Sequence, residues 1–217
     1  MKLKPKFITL EGIDGVGKST HINFIKKYFI DKELNYLFTR EPGGTLLGEK
    51  LREILLHDEM KPETESLLMF AARNEHVYEI IKPNLNKGIN VISDRFTDAT
   101  YAYQSGGKNV KASKITILKD WVHKDLQPDL TILFDLPIEV SLSRLKTNGN
   151  LDKFEKEKAG FHKKIRDSYL ALAKKESQRF RIINSDQNIN TTEKEIYLIL
   201  DKLFLWIFTL GKRVLGM

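Results

Sequence analysis

The run Gly12-Ile13-Asp14-Gly15-Val16-Gly17-Lys18-Ser19 matches the pattern G-x-x-x-x-G-K-[ST] in full. It lies between an apolar stretch, Lys6 to Glu11, and a helical pattern from Lys18 to about Lys32. A chain with this order must place a strand, a tight loop and a helix in succession. Glycines let such a loop close around phosphate oxygens and turn successive backbone N–H groups inward. Lys18 can reach the β- and γ-phosphates of a nucleotide, and the Ser19 hydroxyl can bind Mg²⁺. The start of the helix, which includes Thr20, adds a dipole that favours anions. Gly12, Ile13, Asp14, Gly15, Val16, Gly17, Lys18, Ser19 and Thr20 are therefore the candidate residues for binding ATP.

Beyond the loop, β-like apolar runs alternate with longer helical patterns, which argues for βαβ units and a parallel sheet. Further strands are expected at Tyr36 to Thr39, Ile89 to Ser93, Leu130 to Asp135 and Arg179 to Asn184. Helices are expected at Leu46 to Leu56, Glu63 to Asn86, Ala112 to His123 and Ile138 to Leu145, with a charged helix ending near Lys175. No repeat and no linker rich in Gly, Pro or Ser interrupts the 217 residues, so one domain, 1–217, is the simplest organisation. The polar, glycine-containing stretch Lys146 to Leu151 reads as part of a small lid, at about residues 144–160.

Charge and hydropathy narrow the partners. A net charge of +7 favours anions, whether nucleic acid, an acidic membrane surface or phosphorylated small molecules. The lysines are spread along the chain without the aromatic-basic pattern of a nucleic-acid module, so no nucleic-acid partner is expected. The absence of cysteine excludes a disulfide framework and thiolate-bound zinc. A basic N-terminus leads straight into the first strand without a signal core, which fits a cytoplasmic protein. The apolar run Leu203 to Leu210 is eight residues long, whereas a span needs about 20. It reads as a final helix packed on the body or on a subunit partner, with no membrane partner.

In an open parallel sheet, ligands gather at the carboxyl ends of the strands. Asp94 and Arg95 end the third strand, where a carboxylate can hold Mg²⁺ or its water shell and an arginine can grip phosphate. Arg40-Glu41-Pro42-Gly43-Gly44 follows the second strand, so Glu41 can meet metal-bound water or orient an arginine. Arg52, on the next helix, can point back to an acceptor phosphate. Met69, Phe70 and Arg73 share helical spacing, which serves either a plain core or a base-stacking face with an arginine at the base edge. Tyr101, Tyr103 and Gln104 lie downstream of Asp94-Arg95, and a glutamine amide can pair with a pyrimidine's donor and acceptor groups.

Over roughly residues 6–185 these segments resemble bacterial thymidylate kinases. The likeness is carried by Phe7-Ile8-Thr9-Leu10-Glu11-Gly12, Arg40-Glu41-Pro42-Gly43-Gly44-Thr45, Phe70-Ala71-Ala72-Arg73, Asp94-Arg95-Phe96, Ala102-Tyr103-Gln104 and Pro128-Asp129-Leu130-Thr131. The resemblance implies an α/β fold, the P-loop NTPase-type three-layer α/β/α sandwich with a five-stranded parallel sheet, and a homodimer. It implies Mg²⁺-dependent transfer of the ATP γ-phosphate to thymidylate (dTMP). Asp14, Glu41, Arg52 and Arg95 would arrange the acceptor phosphate and metal-bound waters. Met69 or Phe70 would cover the thymine, Arg73 and Gln104 would bond its edge, Tyr103 would pack near the deoxyribose, and Thr100 would line the base pocket.

Two departures from the family pattern matter. The stacking phenylalanine often stands four residues before the arginine, a position held here by Met69. The loop has Gly15 where some members carry a catalytic arginine, and members that lack that arginine usually supply arginines from the lid instead. Here Arg144 is retained, while Lys146 and Lys153 fill the other basic positions, which leaves Arg144 and Arg166 as the candidate guanidinium donors. The rival readings are another nucleoside or nucleoside monophosphate kinase of the same fold, and a nucleic-acid-associated ATPase.

Overall fold

Five apolar stretches form the strands of one sheet: β1 (Phe7–Glu11), β2 (Tyr36–Arg40), β3 (Asn90–Asp94), β4 (Leu130–Asp135) and β5 (Phe180–Asn184). They come from a computed structural model that describes residues 4–146 and 152–214, with side chains described except at 146 and 205–214. The strand order is β2-β3-β1-β4-β5, and every pairing is parallel. β1 is central and buried along its whole length, whereas β2, at an edge, is mostly half-buried. That difference explains why β1 reads as a continuous apolar run.

Alternation along β1 sends successive side chains to opposite faces of the sheet. Phe7 packs with Val77, Ile81, Val91 and Phe96. Ile8 and Leu10 instead join the larger core with Ile25, Phe29, Ile196 and Leu200. Register places Asp94 beside both Leu10 and Arg40, and Asp135 beside Asn184, so the strands end together on one rim. The chain crosses from β3 on one side of β1 to β4 on the other, the arrangement that opens a crevice at that rim.

The helices are α1 (Lys18–Asp31), α2 (Leu46–His57), α3 (Pro62–His76), α4 (Lys82–Asn86), α5 (Thr97–Thr100), α6 (Ala112–His123), α7 (Ile138–Lys146), α8 (Ala159–Lys175) and α9 (Ile189–Val214). Thr45 caps α2 by accepting from Gly48 N at 2.9 Å, and Pro62 opens α3 where its missing N–H costs nothing. The single helix expected from Glu63 to Asn86 is broken by a π turn, Val77–Ile81. Pro83 lacks an N–H and its ring crowds the carbonyl four residues back, within that turn, so a wider turn relieves both problems.

A second π turn, Tyr101–Gly107, extends α5 and was not legible as a helix. Its Gly107 lies so close to α8 that a Cβ there would stand 2.5 Å from the Phe161 ring. The lid stretch 147–151 and residues 215–217 lie outside the described residues. The C-terminal run belongs to α9, whose Phe204 is buried against Tyr28 and Phe29. Among the described residues no helix is long and apolar enough to cross a membrane.

Candidate active site

Two cavities adjoin at the rim. Asp14, Glu41, Arg52, Arg95 and Asp152 line both, so these residues form the common wall. The second cavity also takes in Gly15, Val16, Gly17, Lys18, Ser19, Thr20, Arg40, Asp94 and Arg144. The first is closed by Pro42, Leu56, Met69, Arg73, Phe96, Ala99, Thr100, Tyr103, Gln104 and Phe154.

The glycine-rich loop follows from local geometry. Gly12 has φ +142°, and a Cβ there would meet Phe134 O at 2.5 Å, so no other residue fits between the loop and β4. Its carbonyl oxygen accepts from Lys18 Nζ at 3.2 Å and from Arg95 Nη1 at 3.0 Å. Ile13 turns into the core and lines neither cavity. Burial, with the Arg95 guanidinium nearby, holds the Lys18 ammonium below the ordinary lysine range, against the pull of Asp94 and Asp14. An added anion would relieve that repulsion between cations.

Arg95 and Asp14 are locked together. The guanidinium bonds Asp14 Oδ1, and the Tyr103 hydroxyl donates to Asp14 Oδ2 at 2.6 Å and accepts from Arg95 Nη2 at 2.9 Å. Burial alone would raise the Asp14 carboxyl, but Arg95 and Lys18 outweigh it and hold it below the usual range. Arg95 adopts φ +69°, a left-handed conformation that costs a non-glycine residue about 1 kcal/mol and here turns the guanidinium back over the loop. Asp94 Oδ1 is buried with no partner among the described residues, and Ser19 lines the same cavity.

Glu41 is enclosed. Its Oε2 accepts from Arg73 Nε at 2.7 Å, and its Oε1 lies 2.8 Å from His76 Nδ1. Burial pushes this carboxyl up, yet Arg73 and His76 prevail and keep it low. Of the two options for Glu41, orienting an arginine matches the contacts. Arg73 also donates to Thr100 Oγ1 at 3.0 Å, while its Nη1 is buried without a partner among the described residues. Arg52, which lines both cavities, donates from Nη1 to Pro42 O at 2.9 Å.

Met69 lines the first cavity, whereas Phe70 does not. Phe70 packs with Val110, Ile115 and Val122, and its ring stacks on His123 with centroids 6.3 Å apart. Of the two candidates for a base cover, Met69 is therefore the one that reaches the cavity, on the same face of α3 as Arg73. Arg144 stays beside the loop, its Nη2 donating to Ser185 O at 3.2 Å. Arg166 is taken up by both oxygens of Asp135, at 2.6 and 2.8 Å, and lines neither cavity. Lys153 donates to Asp58 O at 2.8 Å, away from the loop, and the Lys146 side chain lies outside the described residues.

Several members of the site carried no sequence signal. His76 and Leu56 look like any helix residue until the fold brings them to Glu41 and the first cavity. Phe154, an aromatic in a charged stretch, packs edge-on against Tyr103 with centroids 5.7 Å apart. Glu11 is wholly buried and accepts from Phe96 N at 2.8 Å and the Tyr169 hydroxyl at 2.7 Å.

This architecture has relatives. The family model described as thymidylate kinase matches residues 10–196. A thymidylate kinase of Methylobacillus flagellatus is 54% identical over 194 residues, covering 89% of this chain and 96% of that protein. One from a Janthinobacterium species is 52% identical over 194 residues, covering 89% and 95%. A crystal structure of thymidylate kinase from Ehrlichia chaffeensis superimposes with a TM-score of 0.75 at 34% identity, covering 92% of this chain and 99% of that one. With five parallel strands, a complete phosphate loop and a match spanning most of its length, the chain belongs to the thymidylate kinase family.

Proposed function

We propose that the chain transfers the γ-phosphate of ATP to thymidylate, with the two nucleotides held in the two adjoining cavities. The observation that carries this reading is their common wall: Asp14, Glu41, Arg52 and Arg95 border both. A phosphate oxygen of the acceptor is already a nucleophile, so these residues need only align it with the donor phosphate and balance charge. ATP lies along Gly15 to Thr20, with Lys18 at its terminal phosphates. Arg95, fixed by Asp14 and Tyr103, holds the acceptor phosphate, and Arg52 approaches it from α2.

Asp94 and Ser19 fit Mg²⁺, an ion that often takes only one or two protein ligands beside phosphate and water, because the Asp94 Oδ1 is buried and unpartnered among the described residues. When bound, the ion neutralises charge on the donor phosphates. Met69 covers the base, Arg73 Nη1 and Gln104 bond its edge, Thr100 lines the pocket, and Tyr103 lies beneath the sugar. Arg144, beside the loop, supplies a guanidinium to the transferred group. The whole chain acts as one domain with a lid at about 144–160 that excludes water on closure. Two copies pair through α3 and α6, whose Leu67, Ile117 and Trp121 are exposed, and the enzyme works in the cytoplasm without nucleic acid or membrane.

A coupled assay with ATP, Mg²⁺ and single monophosphates tests this. ADP formation is expected with thymidylate far above cytidylate or thymidine. Turnover driven by polynucleotide and not by thymidylate would sink it.

A further inference from the structure

A glutamine side chain ends in a donor and an acceptor, and its recognition value depends on which of them faces the ligand. Gln104 lines the first cavity, and its amide is not free to turn. Its Nε2 donates to Glu65 Oε1 at 2.9 Å. Glu65, on α3, has no exposed surface, and its Oε2 lies 2.8 Å from Lys108 Nζ and 2.9 Å from Lys153 Nζ. A carboxylate held by two ammonium groups accepts hydrogen bonds and does not donate them. The Gln104 nitrogen is therefore turned toward Glu65, and its Oε1 is left as the acceptor, with no donor on it among the described residues. The same cavity has Arg73 Nη1 as an unpartnered donor.

Thymine and uracil show an N3–H donor beside the O4 acceptor, and cytosine shows the reverse, an N3 acceptor beside an N4 donor. We propose that Glu65 is a positioning residue for base selection: it fixes Gln104 with the carbonyl oxygen toward the cavity and so favours a base edge with N–H beside C=O. This role rests on the first cavity being the monophosphate site. Lys108 and Lys153 serve it by holding the carboxylate in place. An amide free to flip would accept from thymine or donate to cytosine with little preference, so the share of the selectivity that Gln104 adds to that of the donor-only Arg73 lies in this restraint.

Deoxyuridylate and deoxycytidylate differ only along this edge, so their kcat/KM ratio isolates it from the thymine methyl. In Glu65→Gln that ratio is expected to fall about tenfold, the effect of one misaligned hydrogen bond. Thymidylate should bind about tenfold more weakly by calorimetry, and its KM should rise to match, with kcat unchanged within about twofold. In a Gln104→Ala background, adding Glu65→Gln should change the ratio no further. Equal losses for the two monophosphates, or additive effects of the two substitutions, overturn the proposal. If Glu65→Gln does not fold, Glu65→Asp keeps the charge between the lysines while drawing the carboxylate back from Gln104, and an unchanged ratio there overturns it equally. An unaltered chain that forms no ADP with thymidylate or deoxyuridylate shows instead that the monophosphate-site reading has failed, and the role of Glu65 falls with it.

Discussion

Met69 and Phe70 are neighbours on α3 with opposite surroundings, and their substitutions should separate binding from stability. Met69→Ala removes a partly buried side chain from the cavity wall, so the thymidylate KM should rise about three- to tenfold with little change in melting temperature. Phe70→Ala opens a cavity in the α3–α6 core and should cost about 3–5 kcal/mol. Its KM change should be smaller than that of Met69→Ala, since Phe70 meets the cavity only through the Arg73 guanidinium 4.5 Å over its ring. Steady-state kinetics and thermal unfolding on both variants check this, and the opposite pattern would put Phe70 at the base. Glu41 has a different dependence on its setting. Truncation to Ala leaves Arg73, only 2% exposed, without its counter-charge, so a loss of about 3–5 kcal/mol is expected by urea titration. Arg73 and Glu41 were both legible as strand-rim or helix-face candidates. Their mutual bond was not, because 32 residues separate them and only the folded chain brings α3 back to the end of β2.

The end of β1 carries a second buried acid whose behaviour depends on the whole element. Burial, reinforced by Asp98, pushes the Glu11 carboxyl up from 4.5 to about 8. Between those values the folded chain keeps a proton that the unfolded chain has released, so this group's contribution to stability declines as pH rises through the window. The amide of Glu11→Gln reproduces the protonated acid, with an oxygen to accept from Phe96 N and a nitrogen to donate to the Tyr169 hydroxyl. The variant should therefore gain stability over the parent from pH 5 to pH 8, by on the order of a few kcal/mol. Urea unfolding of both at pH 5, 6.5 and 8 checks it, and parallel curves would count against a shifted Glu11. Every strand was legible within about a residue, because buried parallel strands are short apolar runs. The π turns were not, since Val77–Ile81 answers to Pro83 and Tyr101–Gly107 to the close approach of α8. Glu11 was read as the tail of a strand, and nothing in its neighbours reveals that Tyr169 lies against it.

At the scale of the molecule, α3 has two duties. One face carries Met69 and Arg73 into the first cavity, while Leu67 on the outer side is 56% exposed. On α6, Ile117 and Trp121 are 67% and 80% exposed one turn apart, and Leu67, Val110, Ile117 and Leu118 line a shared apolar groove. A contiguous apolar strip of this kind on paired helices suits burial against a second copy of itself. A carboxylate at its centre would be desolvated without a partner in such an interface, yet fully hydrated in a lone chain. Ile117→Asp should consequently sediment at the mass of one chain where the parent sediments at twice that mass. Because the strip and the cavity wall share α3, releasing the strip should also loosen the base pocket. The thymidylate KM should then rise about three- to tenfold, with the ATP KM within about twofold, since α1 and its loop lie outside the groove. A parent chain that sediments singly, or a variant that remains paired, would place the contact between copies elsewhere on the surface.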